Sequence, residues 1–259
     1  QMETGGLTSY IDLAQIALYG FWIFFAGLIW YLHREDKREG YPLDSERSDR
    51  TGGRVRVEGF PAVPSPKTFL LADGSSVQAP SAATADRRPI AASPLGHGEG
   101  AALQPTGDPM RDGVGPASYA NRANVPERMI DGTPMIVPMR TLNGWRINRR
   151  DPDPKGMTVV GCDGAAAGQI TDVWVDKAEP QIRYLELQLT AGGHVLVPYG
   201  FVKYSGGKVH VNAITGAQFA HVPRTASGEQ VTRLEEDKIT GYYGGGTLYA
   251  TPDRLGPVL

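Results

Sequence analysis

Cys162 is the one cysteine in 259 residues, which rules out a disulfide within this sequence and any all-cysteine cage for zinc or an iron–sulfur cluster. A basic excess is missing too: 26 Lys and Arg stand against 28 Asp and Glu, for a net charge of −2. No run of positive charge is free of acids, so nucleic acid is a poor partner. The sequence contains no H-E-x-x-H, no G-x-S-x-G and no phosphate-binding loop; Gly206-Gly207-Lys208 is followed by Val209, where Ser or Thr would be needed to meet magnesium. Gly96-His97-Gly98-Glu99-Gly100 lacks the flanking strand and helix of a dinucleotide site and reads as loop. The five histidines, His33, His97, His194, His210 and His221, show no ligand spacing. None falls inside an apolar run, so no axial ligand for a tetrapyrrole is evident.

What the sequence does have is Leu13 to Leu32, LAQIALYGFWIFFAGLIWYL, about twenty uncharged residues and long enough to cross a bilayer as a helix. Before it the only charges are Glu3 and Asp12; after it comes His33-Arg34-Glu35-Asp36-Lys37-Arg38-Glu39. This asymmetry predicts a periplasmic N-terminus and a cytoplasmic remainder. The run exceeds a usual signal-peptide core and has no small-x-small cleavage site, so it reads as a retained span. Ala17, Gly20, Phe24 and Gly27 recur at spacings of three and four, a stripe suited to close helix packing. Trp22 lies near mid-span, away from the interfacial belts where Trp is usual, and is expected to meet a neighbouring protein.

From Pro42 to Pro138 lie 13 of the 20 prolines, among many Gly, Ser and Ala, which predicts an extended segment without long regular elements. Within it Lys67 to Leu71, Asp73-Gly74 and Val77 read as a strand, a turn and a second strand, while Ser81 to Gly100 reads as linker. Beyond Lys155 the pattern changes to short strands: Met157–Val160, Gln169–Asp176, Arg183–Leu189, His194–Val197, Phe201–Tyr204 and Lys208–Ile214. Leu185, Leu187 and Leu189 alternate with Tyr184, Glu186 and Gln188. A small antiparallel barrel or sandwich is expected. Capping-box spacings at Ser227–Gln230 and Thr232–Glu235 predict a helix from about Glu229 to Tyr242, stopped by Gly244-Gly245-Gly246. The expected organisation is an N-terminal segment 1–11, a membrane helix 12–32, an extended segment 33–150, a β core 151–225 and a C-terminal helix and tail 226–259. The fold class is mostly β with one transmembrane helix.

Asp172, Asp176 and Glu179 crowd the end of the QITDVWVD strand, with Arg183 and Glu186 on the next. Exposed acids at a strand end are ordinary. Acids at a protein–protein seam, however, can have raised pKa values through desolvation and mutual repulsion, and so can pass protons near neutrality.

An ordered set of motifs carries a resemblance over most of the chain. It comprises Phe21-Trp22-Ile23-Phe24-Phe25-Ala26-Gly27-Leu28-Ile29, Arg34 to Leu43, Pro66-Lys67-Thr68-Phe69, Pro105-Thr106-Gly107-Asp108-Pro109, Gly113-Val114-Gly115-Pro116-Ala117-Ser118-Tyr119, Asp172-Val173-Trp174-Val175-Asp176 and Glu235-Glu236-Asp237-Lys238. Together these resemble the H subunit of the purple-bacterial photosynthetic reaction centre. The resemblance implies a non-enzymatic, single-pass subunit of the bacterial inner photosynthetic membrane whose β domain is of the PRC-barrel type. It caps the L and M subunits, which hold the bacteriochlorophyll, bacteriopheophytin, quinones and non-haem iron, and itself binds no cofactor or metal. Membrane lipids, light-harvesting antenna polypeptides and a cytochrome subunit are implied neighbours. The resemblance also implies that the subunit stabilises the complex and helps deliver protons to the secondary quinone. By motif position Glu179 matches the acid near that quinone, Asp176 a second relay member and Asp131 an acid near the entrance; Asp172, from the crowded acids of the QITDVWVD strand, is a further proton-transfer candidate. Some family members carry two histidines after that Asp-Gly; this sequence has Thr133-Pro134-Met135 instead.

Two other readings compete. One is a membrane-tethered, RNA-linked β-barrel adaptor; the other is a membrane hydrolase built on Asp176, Glu179 and Glu186, for which no motif speaks. Near-infrared absorption of the purified membrane complex separates them, since co-purifying bacteriochlorophyll supports the reaction-centre reading.

Overall fold

The computed structural model describes residues 12–48, 54–71, 74–84, 86–96 and 101–255. The expected N-terminal segment 1–11, His97 and Asp73 of the predicted turn lie outside the described residues. The chain divides into two compact units, 1–87 and 88–259.

In the first unit, α1 spans Leu13–Asp36, and its first turn is capped by Asp12, whose carboxylate accepts the Gln15 N–H at 2.7 Å. No residue of α1 is buried within the chain, and the helix is long and apolar enough to cross a membrane. At roughly 100° per residue, Ala17, Gly20, Phe24 and Gly27 share one face and Trp22 points to the opposite one. There the Trp22 ring packs on Phe21 and Phe25, with centroids 5.5 and 6.0 Å away. One neighbour therefore cannot meet both features.

Just past α1, Lys37 is buried, and its ammonium donates to the carbonyl oxygens of Glu58 and Pro61 at 2.5 and 2.6 Å. The next residue, Arg38, donates to the Ser65 and Ala79 carbonyls and pairs with Glu35. Two adjacent cations thus tie the proline-rich segment to the helix exit. Around them lie two hairpins, β1 (Leu43–Ser48) with β2 (Arg54–Val57), and β3 (Lys67–Leu70) with β4 (Ser76–Ala79). The second is the hairpin the sequence predicts, in the register Lys67↔Ala79 to Leu70↔Ser76.

The second unit opens with β5 (Ala92–Pro94) and β6 (Leu103–Pro105), a small antiparallel pair. β5 lies inside the stretch expected to be linker. After the four-residue α2 (Pro109–Asp112) come β7 (Ile136–Pro138), β8 (Thr158–Val160), β9 (Ala166–Asp176), β10 (Gln181–Leu189), β11 (His194–Pro198), β12 (Val202–Ser205), β13 (Lys208–Val211) and α3 (Arg233–Tyr249). The sheet order is β11-β10-β9-β8-β13-β12, with β7 also on β9.

This differs from the expected small antiparallel barrel or sandwich. Among the described residues the sheet stays open, and β13 runs parallel to β8. The loop after β8 holds that parallel contact: the Cys162 N–H donates to the Ile214 carbonyl at 2.9 Å, and the Gly216 N–H to the Asp163 carboxylate at 3.0 Å. Helix, not further strand, covers the sheet. Ile239, Tyr242 and Tyr243 of α3 join Val173, Leu185, Leu187, Val197 and Phe219 in one core. β10 is consequently buried on both faces from Tyr184 to Leu187, although its alternation suggests one wet face.

The C-terminal helix also differs from expectation. The Thr232–Glu235 capping box starts α3, and the three glycines lie inside it. A Cβ on Gly245 would come within 2.5 Å of the Ala117 Cβ, and one on Gly241 within 2.8 Å of the Ala117 carbonyl oxygen. The glycines permit contact with the turn Gly115–Ala117 rather than ending the helix.

Candidate functional site

β9 is the spine of the site. Its residues Asp172 and Asp176 are both buried, and Glu179 follows in the exposed turn to β10. Asp176 Oδ1 accepts the N–H groups of Ala178 and Glu179 at 2.8 and 3.3 Å, which shapes that turn. Glu179 itself accepts only from the Gln181 amide, at 3.3 Å, among the described residues.

Asp131 is far away in sequence but near this end of β9. β7 pairs with β9 in the register Ile136↔Asp176, and the Lys177 N–H donates to the Met135 carbonyl at 3.1 Å. The Lys177 ammonium then reaches Thr133 Oγ1 at 2.7 Å, while that hydroxyl donates to Asp131 Oδ1 at 2.6 Å. Hydrogen bonds from the Thr133 hydroxyl and N–H hold the exposed Asp131 carboxyl below its ordinary pKa. The structure thus brings Asp131, Asp176 and Glu179 to one rim of the second unit.

Asp172 belongs to a different constellation. It lies opposite Glu186 in the β9–β10 register, where two like charges would repel. Arg140, on the turn after β7, bridges them, its Nη1 3.3 Å from Asp172 and 2.7 Å from Glu186. The Lys155 ammonium sits 2.8 Å from the other Asp172 oxygen. Burial pushes the Asp172 pKa up, but Lys155 and the Arg140 N–H outweigh it and hold the carboxyl below the ordinary range. Asp172 is therefore a fixed anion, contrary to the upward shift expected of crowded acids.

Glu186 also accepts the Trp174 indole N–H at 2.8 Å and a contact from His194 Nδ1 at 3.3 Å. A further buried acid, Glu236 on α3, accepts the Tyr184 hydroxyl at 2.8 Å and is shifted upward by burial. The sequence singles out neither Arg140 nor the Glu236–Tyr184 pair for chemistry. Glu236 directly follows the capping-box Glu235, but its partner lies 52 residues away, so no local signal marks the pair. Among the described residues no group of three His, Cys, Asp or Glu could hold a metal ion.

The chain thus combines a helix long and apolar enough to cross a membrane with an open β-sheet unit that carries Asp131, Asp176 and Glu179 near one end of β9. The family model for the photosynthetic reaction centre H-chain N-terminal region matches residues 5–141, more than half of the chain, and the PRC-barrel domain model matches residues 147–218. The chain belongs to the reaction-centre H-subunit family, whose members are membrane-bound, non-catalytic structural subunits.

Proposed function

We propose that this subunit caps the cytoplasmic face of the L and M subunits, stabilises the complex and assists proton delivery to the secondary quinone. In this reading α1 packs on membrane helices of the partners through Ala17, Gly20, Phe24 and Gly27, with Trp22 meeting a second neighbour or lipid. The N-terminus is periplasmic and the β domain cytoplasmic, as the charge asymmetry favours. The partners hold the bacteriochlorophyll, bacteriopheophytin, quinones and iron; antenna polypeptides, a cytochrome subunit and lipids complete the surroundings.

One observation carries the proton role: Asp131, Asp176 and Glu179 share a rim, built by the β7–β9 pairing and the Lys177–Thr133 bridge. Glu179 projects from the turn with the Gln181 amide as its one hydrogen-bond partner among the described residues, which leaves its carboxyl open to a docking subunit. Asp176 shapes the turn behind it, and Asp131 faces solvent where protons enter. Asp172 serves by holding Arg140 and the strand that aims Asp176.

The test is Glu179→Gln in the assembled complex. Its second, proton-coupled quinone reduction should slow at least tenfold while the initial charge separation keeps its rate. An unchanged second step with unchanged pH dependence would sink the relay role.

A further inference from the structure

Apart from the acids, the second unit has a cavity of about 290 Å³ between α2, the Gly115–Ala117 turn, α3 and the end of the turn Ala217–His221 with Pro223 beyond it. Its charged and ionisable lining is basic, Arg111, His221 and Lys238, and Tyr119, Tyr242 and Met110 line it as well. No carboxylate is among its lining residues.

Each basic group comes from a different element. Asp108 caps α2 by accepting the Met110 and Arg111 N–H groups at 3.1 and 3.4 Å, which fixes the backbone that carries Arg111. Lys238 and Tyr242 are four apart on α3 and so share a face. The Tyr119 ring holds the Lys238 ammonium 5.5 Å from its centroid and the Arg88 guanidinium at 4.3 Å. Of the carboxylates nearby, Asp237 pairs with Arg122 at 3.5 Å and Glu236 accepts from Tyr184, while Asp108 caps α2 and, like Asp112, is not among the lining residues. Among the described residues no ion pair neutralises Arg111 or Lys238.

In a chain of net charge −2, basic side chains converging on a concave space that no carboxylate lines make a site for an anion. A planar carboxylate offers acceptors in one plane and suits a single arginine. A tetrahedral dianion offers them in several directions and suits donors arriving from three elements. The Tyr119 and Tyr242 rings and Met110 supply apolar surface for the carbon attached to it. We propose that this cavity binds a phosphate group, carried by a lipid headgroup or by a soluble phosphorylated compound.

Titration calorimetry on the purified complex at low salt tests this with two probes, glycerol 3-phosphate and dihexanoyl phosphatidic acid below its micelle concentration. At least one should bind, and the Arg111→Gln/Lys238→Gln double variant should bind it at least tenfold more weakly. An unchanged near-infrared spectrum of that variant shows that the complex has assembled. Tenfold preference for the lipid probe identifies a headgroup site, and comparable binding of both identifies a site for soluble phosphate. Failure of both probes to bind below about 10 mM, or equal binding by the double variant, overturns the proposal.

Discussion

Replacing Arg140 with Met would leave Asp172 and Glu186 facing each other across β9 and β10 with their shared cation gone. Breaking a fully buried pair costs about 3–5 kcal/mol. Arg140 is 44% exposed, so water takes over part of its role and a loss of about 2 kcal/mol is expected in thermal unfolding of the detergent-solubilised chain. Two acids should then respond to pH in opposite senses. Asp172 has a folded pKa below its ordinary 3.8, so its pairs contribute stability above that value and lose it as pH falls through the lowered pKa. The melting-temperature gap between wild type and Asp172→Asn should therefore narrow on acidification below pH 3.8. Glu236 is shifted above its ordinary 4.5, so the folded state holds its proton longer and wild-type stability falls as pH rises from 4.5 through the raised value. Glu236→Gln, which keeps an acceptor for Tyr184, should gain on wild type over that same rise. At this scale the sequence revealed residue types but not partnerships. QITDVWVD displays Asp172 and Asp176 plainly, yet whether an acid carries protons or anchors an arginine depends on the β9–β10 register and on a turn 32 residues upstream.

α3 shows the same division for a whole element. Its start was readable because a capping box is local, and Thr232→Ala should cost about 1 kcal/mol in the same unfolding measurement. Its end was not, because glycines that stop an isolated helix can equally let one approach another backbone. Gly245→Ala would gain about 1 kcal/mol of helix propensity but drive a methyl into Ala117. A net loss of about 1–3 kcal/mol is expected, since overpacking at a rigid contact dominates. In α1 a Cβ on Gly20 or Gly27 meets nothing within 4 Å. Gly20→Leu and Gly27→Leu should leave the chain's own fold intact and weaken its retention in the detergent-purified complex. Trp22→Ala, on the opposite face, should affect a different contact, so its effect on retention should add to theirs.

For the whole molecule, the membrane helix and the strand-rich region were legible because each has a strong period or length signature. Closure was not. Nothing in the spacing of short strands says that β13 returns to lie parallel beside β8 or that a helix completes the core. Proline content marks the proline-rich region as extended, and its order within the first unit comes from Lys37 and Arg38 gathering its carbonyls. Lys37→Met would strip one buried and one part-buried carbonyl of their donor. A loss of about 1–3 kcal/mol is expected, read out as faster hydrogen exchange or proteolysis around Glu58 to Pro66.

The parallel β8–β13 contact also sets a timetable. Residues 158–160 cannot complete their pairing until 208–211 have been synthesised, and the turn Gly115–Ala117 waits still longer for α3. At about 5–20 residues per second, α3 leaves the ribosome on the order of ten seconds or more after α1. The helix can thus enter the bilayer while the chain behind it is still unfolded, so the membrane receives its anchor before the β domain has a finished surface to present.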